Sequence, residues 1–194
     1  MDIREYVVTD RRAAMNIFNY FKKKGIDTVD ATFYRKVEEW ESWYKSNVRG
    51  FSFYKVYTGK GTSVKRKRRS MHMAKKVCED LADFLMNERV KIRVCDEQTD
   101  RYVKKVLREN KFYRKVNEYQ ERKSATGTSA YVANLTDMMV DDEGNVYSGR
   151  VDIDYLTAKD IYPVSWKNGK VSECAFLYHQ TYLRKKYIVV AYHF

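Results

Sequence analysis

The chain has 194 residues, of which 38 are Lys or Arg and 26 are Asp or Glu, so its formal net charge is +12. With 44% hydrophobic residues, one Pro and eight Gly, the composition excludes collagen-like, low-complexity and intrinsically disordered chains. A folded domain this basic is typical of proteins whose partners are nucleic acids, acidic membranes or acidic proteins.

The first two-thirds of the chain is predicted to be mostly helical. Apolar residues recur there at helical spacing, with Gly25 as a stop signal and Asp30, Thr32 and Ser70 as candidate caps. The predicted helices are residues 10–24, 30–50, 70–87, 99–110 and 112–124.

Two short segments in this part read as β structure instead. Residues 51–57 and 64–68 flank a Thr-Gly-Lys-Gly-Thr turn, which predicts a β-hairpin. Residues 90–94 alternate between apolar and basic side chains and predict a further strand.

The final third, from Gly127 onward, is predicted to be antiparallel β. The predicted strands are residues 131–135, 146–153, 161–166, 170–178 and 187–192. Turns are predicted at 142–145 and at 167–170, where Asn-Gly is the strongest short hairpin signal. The predicted fold class is therefore α+β, a helical two-thirds with a short hairpin followed by an antiparallel β-rich third.

This pattern predicts three parts along the chain. They are an N-terminal helical arm at residues 1–30, a mainly helical part at 31–126 and an antiparallel β part at 127–194. Residues 187–194 are β-branched and aromatic to the end, whereas most domains end in polar residues, so we expect further residues normally to follow.

The cysteines and the chain's hydropathy indicate a reducing compartment. Cys78, Cys95 and Cys174 are odd in number and widely spaced, so no disulfide framework is predicted. No apolar run approaches the roughly 20 residues that a membrane-spanning helix needs. Residues 1–5 are charged and lead into no signal peptide, so we expect assembly in a cytosol and no membrane partner.

An uninterrupted basic run is the candidate contact site, and it consists of Lys65, Arg66, Lys67, Arg68 and Arg69. Such a run can neutralise several phosphates, but it can equally be a solvated arm or contact an acidic neighbouring subunit. The 17 Tyr residues leave the same choice open, because aromatic rings stack on bases and also fill cores and subunit interfaces.

A pair of carboxylates raises an enzymatic alternative. Asp152 and Asp154 lie two apart on a predicted strand and so share a face, about 7 Å apart, as Mg²⁺ ligands in a nuclease or nucleotidyltransferase would. The sequence offers no convincing third carboxylate or catalytic Lys beside them, and an edge strand with a polar outer face explains the pair equally well.

The remaining chemistry-bearing residues match no known site pattern. The pairs His72 with Cys78 and Cys174 with His179 do not have the spacings of zinc ligands. No phosphate loop, dinucleotide fingerprint, nucleophile elbow or kinase signature occurs. We therefore predict no metal, no cofactor and no enzymatic activity.

Three longer stretches carry a resemblance to a known family. Residues 33–51 contain FYRK, EW and WYKSNVRGF; residues 73–88 contain MAKKVCEDLA and LMNE; residues 161–176 contain IYPVSWKNGKV and AF. In content and order these stretches resemble the N-terminal part of tailed-phage portal proteins, the head-to-tail connectors of long-tailed phages and their prophages. The resemblance covers residues 30–194.

The resemblance implies a structural virion protein. Portal proteins form a ring, typically of twelve subunits, at one capsid vertex; DNA is packaged and ejected through the ring, and the tail connects to it. The implied partners are other portal subunits, terminase, scaffold and capsid proteins, head–tail adaptors and the DNA in the channel. The matched region corresponds to the α/β wing, whereas the stem and clip of the longer family proteins lie beyond it. The implied location is the capsid vertex of the virion, after assembly in the bacterial cytoplasm.

Two alternatives stay open from the residues alone. One is a metal-dependent nucleic-acid enzyme that uses Asp152 and Asp154. The other is a free-standing basic nucleic-acid-binding module carried by residues 65–69.

Overall fold

The structure, a computed structural model, describes residues 3–9, 17–86, 90–182 and 185–193. It mixes helices with small antiparallel sheets, as the sequence predicts. In chain order the elements are β1 (Ile3–Thr9), α1 (Ile17–Lys23), α2 (Ala31–Tyr44), β2 (Phe53–Tyr57), β3 (Ser63–Lys67), α3 (Met73–Leu85), α4 (Glu97–Glu109), α5 (Phe112–Thr126), β4 (Ser129–Val140), β5 (Val146–Thr157), β6 (Ile161–Lys167), β7 (Lys170–Tyr182) and β8 (Lys185–His193).

The chain divides into two compact units. Residues 1–37 together with 156–194 form the first unit, and residues 38–155 form the second. The boundaries fall inside α2 and inside β5. The three-part division at residues 30 and 126 uses different boundaries and stays a prediction.

A four-stranded antiparallel sheet in the order β1-β8-β7-β6 forms the body of the first unit. The turn between β6 and β7 places Asn168 at φ 52° and Gly169 at φ 74°, and positive φ at both central positions is the type I′ geometry that Asn-Gly favours. The predicted hairpin at this position is confirmed.

The N-terminal segment differs from the helical arm that the sequence predicts over residues 1–30. Residues 3–9 form β1, which pairs with β8 from Ile3 opposite Tyr192 to Thr9 opposite Lys186. The helix predicted over 10–24 is described only as α1, because residues 10–16 lie outside the described part of the chain. The pairing of β1 depends on residues about 180 positions away, so no local pattern could have indicated it.

The core of the first unit is unusually rich in tyrosine. Its buried members are Tyr20, Phe21, Tyr34, Tyr162, Ala175, Leu177, Val190 and Tyr192. Tyr34 stacks on Tyr162 with ring centroids 4.6 Å apart, and the Tyr34 hydroxyl donates a hydrogen bond to the Ile161 carbonyl at 2.8 Å. Tyrosine suits this position because the ring packs in the core while its hydroxyl finds a buried acceptor.

Capping explains where α2 begins. The Asp30 carboxylate accepts a hydrogen bond from the Thr32 amide at 2.6 Å, which satisfies one of the amides left free at a helix start. This bond lowers the pKa of Asp30. One of the predicted caps is thereby confirmed.

The second unit contains α3, α4 and α5 and two separate two-stranded sheets, β2 with β3 and β4 with β5. Helices α3 and α5 pack together, with Cys78, Ala82 and Val116 buried. Asn110, at the end of α4, holds β5: its side-chain amide donates to the Val151 carbonyl at 2.8 Å, and its oxygen accepts from the Ile153 amide at 2.7 Å.

Two local predictions in this unit are wrong. Residues 90–94 form no strand, because no described strand pairs with them; the Val94 amide instead donates to the Asp100 carboxylate in α4. Ser70 does not cap α3, which follows His72 without a side-chain cap, although the Ser70 hydroxyl accepts from the His72 amide.

Candidate subunit or nucleic-acid interface

The predicted basic run lies on the β2–β3 hairpin and just beyond it. In the antiparallel register Lys55 lies opposite Lys65 and Phe53 opposite Lys67, so these four side chains share one face of the ribbon. The Lys65 ammonium lies 4.5 Å from the centre of the Phe53 ring, a cation–π contact on that face.

The opposite face carries arginine over aromatic rings. Tyr54 lies opposite Arg66, and the Arg68 guanidinium lies 5.5 Å from the Tyr54 ring centre and 5.4 Å from that of Phe51. The Arg68 side chain also donates to the Phe51 carbonyl, and its backbone amide donates to the Ser52 carbonyl, each at 2.8 Å. The end of the basic run is thus anchored to the residues that precede β2.

The charge of the chain is concentrated around this hairpin. Residues 42–78 contain eleven Lys and Arg and no Asp or Glu, so this segment alone accounts for +11 of the net charge of +12. The basic run at residues 65–69 does not by itself reveal this concentration, which becomes visible when charge is counted over a longer window of the sequence.

Most of these cations have no anionic partner. Lys45, Lys75 and Lys76 form ion pairs one helical turn away, with Glu41, Glu79 and Asp80. Within the described part of the chain, eight others form no ion pair: Arg49, Lys55, Lys60, Lys65, Arg66, Lys67, Arg68 and Arg69. All eight are exposed, so the hairpin presents a concentrated positive potential.

A cleft of about 690 Å³ adjoins the arginine-bearing face. Its lining includes Trp43, Phe51, Tyr54, Arg68, Met71 and Met73. These large side chains are exposed, Met71 to 85% and Phe51 to 55%. Aromatic residues, Met and Arg are the side chains enriched in protein–protein interfaces, so the cleft has the composition of a docking surface.

The carboxylates proposed for a metal are committed to neighbouring side chains. Asp152 accepts two hydrogen bonds from Arg150, at 2.8 and 2.9 Å, and one from the Thr136 hydroxyl at 2.8 Å. The Arg150 side chain is the main cause that lowers the pKa of Asp152. Asp154 accepts from the Asn134 amide at 2.6 Å. Both carboxylates therefore act as cross-strand acceptors between β4 and β5.

Two of the cysteines and one histidine are likewise held by their surroundings. Burial raises the pKa of Cys78 and raises that of Cys174 to about 11, so neither thiol is poised as a thiolate. His179 lies 3.2 Å from the Asp160 carboxylate. Among the described residues, no group of three or more His, Cys, Asp or Glu is placed to hold a metal ion.

Comparison with known families decides the assignment. The family model described as phage portal protein, SPP1 Gp6-like, matches residues 23–192, which is most of the chain. The chain belongs to the phage portal protein family. This match confirms the resemblance carried by the three sequence stretches and identifies a structural virion protein of the head–tail connector, a family that is not enzymatic.

No curated protein and no solved structure matches this portal-family chain. Among its described residues, no helix combines the length and the hydropathy needed to cross a membrane.

Proposed function

We propose that the chain is a subunit, or the N-terminal part of one, of a portal ring at a single capsid vertex. DNA is packaged and ejected through this ring, and the tail connects to it. The observation that carries the proposal is the family match over residues 23–192. The mixed α/β architecture supports an assignment to the wing, the periphery that surrounds the channel-forming parts of the subunit.

The surfaces of the second unit support an assembly role. A ring subunit buries surface against its neighbours and so exposes apolar and charged patches when it is isolated. Here eight unpaired cations and a cleft with Met and aromatic side chains are exposed on the same hairpin region. We assign Lys65, Arg66, Lys67, Arg68 and Arg69 to an intermolecular contact, within an assembly that also engages terminase, scaffold and capsid proteins and head–tail adaptors.

The two alternatives are less well supported. Asp152 accepts hydrogen bonds from Arg150 and Thr136, and Asp154 accepts one from Asn134, so a metal at this pair would have to compete with these partners. A free-standing nucleic-acid-binding module would not account for the family match.

The test is to place the protein in the particle. An epitope tag fused to the chain in its phage should be detected by immunogold electron microscopy at one vertex of each particle. Loss of the gene should leave capsids without DNA. A tag spread over the shell, or absent from particles, would contradict the proposal.

A further inference from the structure

The β4–β5 hairpin ends in an acidic arm, residues 137–147. It contains Asp137, Asp141, Asp142 and Glu143, and no Lys or Arg occurs from residue 124 to residue 149. Asp137 lies 3.8 Å from Arg150, but the three acidic residues of the turn form no ion pair within the described chain.

Hydrogen bonds hold the turn of this arm in shape. The Asp141 carboxylate accepts from the amides of Glu143 and Asn145, at 3.1 and 2.7 Å. These bonds, that from Asn145 foremost, lower the pKa of Asp141. The neighbouring Asp142 and Glu143 are exposed and form no ion pair in the described chain, so both carboxylates can meet a cationic partner.

The acidic arm also exposes apolar side chains. Met138, Met139 and Val140 are each more than half exposed, and Tyr147 is 67% exposed. They belong to a sheet of only two strands, which is marginal when nothing covers it. Exposed apolar surface on such a ribbon indicates a site of protein contact.

The acidic arm is complementary to the basic hairpin and its cleft. One surface carries unpaired carboxylates beside methionines; the other carries unpaired cations beside methionines and aromatic rings. We propose that the acidic arm of one copy docks on the β2–β3 hairpin and the 690 Å³ cleft of the next copy. This inference rests on the proposed ring, since a contact between two different patches is what builds a ring from identical subunits.

The composition of the hairpin region favours this partner over DNA. Phosphates would match the cations but would leave Met71, Met73 and Trp43 uncovered, whereas an arm with Met138 and Met139 can cover them. Buried interface cores are apolar, and a charged rim around them sets the register of the two partners. The hairpin region has both an apolar cleft and a surrounding set of charged side chains.

Charge reversal on each surface tests the proposal. The hairpin variant carries Arg66→Glu with Lys67→Glu, and the arm variant carries Asp142→Lys with Glu143→Lys. These side chains are exposed and make no ion pair in the described chain, so folding should be preserved, as circular dichroism will verify. Sedimentation velocity should show that the wild-type chain self-associates and that each variant alone does so at least about tenfold more weakly, because in each variant the substituted side chains turn attractive charge contacts into repulsive ones.

Two complementation experiments make the test specific. An equimolar mixture of the two variants should associate, because the unaltered acidic arm of the hairpin variant can dock on the unaltered basic hairpin of the arm variant. A chain that carries all four substitutions should also regain association. Matched controls with the same change in net charge are Lys22→Glu with Lys23→Glu, and Glu38→Lys with Glu39→Lys, which lie outside both surfaces and should associate as wild type does.

Several outcomes would overturn the proposal. The first is a wild-type chain that stays monomeric up to about 1 mM, which is the weak end of measurable association. The second is that the two variants associate no more weakly than the controls. The third is that the mixture of the two variants fails to associate. Loss of duplex-DNA binding in the hairpin variant with unchanged self-association would assign the hairpin to DNA instead. If both variants still form rings, the contact between the acidic arm and the basic hairpin is wrong, but the proposed ring is not contradicted. If the chain forms charge-dependent open assemblies and no rings, the proposed ring is wrong, but the contact is not contradicted.

Discussion

Replacement of Tyr34 by Phe isolates the contribution of one buried hydroxyl to the first unit. Tyr34 is 8% exposed, stacks on Tyr162, and donates its hydroxyl proton to the Ile161 carbonyl at 2.8 Å. The substitution keeps the ring and removes the donor. A net hydrogen bond contributes about 0.5–1.5 kcal/mol, and a buried acceptor left without its donor costs about 1–3 kcal/mol. We therefore expect the free energy of unfolding to fall by about 1–2 kcal/mol.

Thermal and urea unfolding at neutral pH would measure this loss. For a chain of this size 1 kcal/mol corresponds to about 2–4 °C, so the midpoint should fall by about 2–8 °C. Hydrogen exchange of amides in β6, β7 and β8 should accelerate, because the bond lies in that unit. Tyr57→Phe is the matched control: Tyr57 is 74% exposed, and its substitution should leave the midpoint unchanged. Equal midpoints for Tyr34→Phe and wild type would refute the reasoning.

The same substitution has a predictable dependence on pH. Burial, with a smaller contribution from Tyr162, raises the pKa of Tyr34 well above its ordinary value of 10. Above pH 10 the unfolded chain releases this proton while the folded chain retains it, so wild-type stability falls as pH rises. The Phe variant lacks this group, so the stability difference between the two proteins should narrow above pH 10. A difference that stays constant to pH 11 would contradict the assigned burial of the hydroxyl.

Three further changes have expected outcomes. Asn110→Ala removes the hydrogen-bond partner of the Val151 carbonyl and of the Ile153 amide, so the free energy of unfolding measured in urea should fall by about 1–3 kcal/mol. An unchanged urea midpoint would show that these two hydrogen bonds do not stabilise β5. In Gly169→Ala the new methyl group meets no steric clash, but the alanine must adopt φ 74°, so calorimetry should show that the free energy of unfolding falls by about 1 kcal/mol. An unchanged free energy of unfolding would argue against the type I′ turn. Burial raises the pKa of Cys174 to about 11, whereas the ordinary thiol value is about 9, so the stability of the folded chain should fall as pH rises from 9 to 11. Cys174→Ser should flatten that decline in stability. An equal decline in the variant and the wild type would refute the raised pKa of the Cys174 thiol.

Local signals predicted much of the fold. Periodicity indicated α4 and α5, Asp30 indicated the start of α2, and Asn168-Gly169 indicated the β6–β7 hairpin, because each of these depends on residues within a few positions. The alternation of apolar and basic residues over 90–94 led to a wrong strand prediction, because alternation is a property of one segment and does not show whether a partner strand lies beside it.

The candidate site was predictable only in part. The basic run can be read directly from the sequence, and the structure leaves all five of its side chains exposed, whereas their role in a contact stays a prediction. Its cation–π contacts with Phe51, Phe53 and Tyr54 depend on hairpin register, and the adjoining cleft depends on how residues 43–54 pack beside residues 68–74. These non-local relations leave no pattern in the sequence.

The interruption of the first unit by the second has a consequence for synthesis on the ribosome. Residues 38–155 form one continuous unit and can fold as soon as they emerge, whereas the sheet order β1-β8-β7-β6 joins strands from both ends of the chain. Strand β1 must therefore wait, with its backbone unpaired, until residues 185–193 have been made. Sheets that depend on such distant pairings form slowly and expose strand edges meanwhile. Ribosome-stalled chains shorter than 185 residues should accordingly bind chaperones through their N-terminal segment.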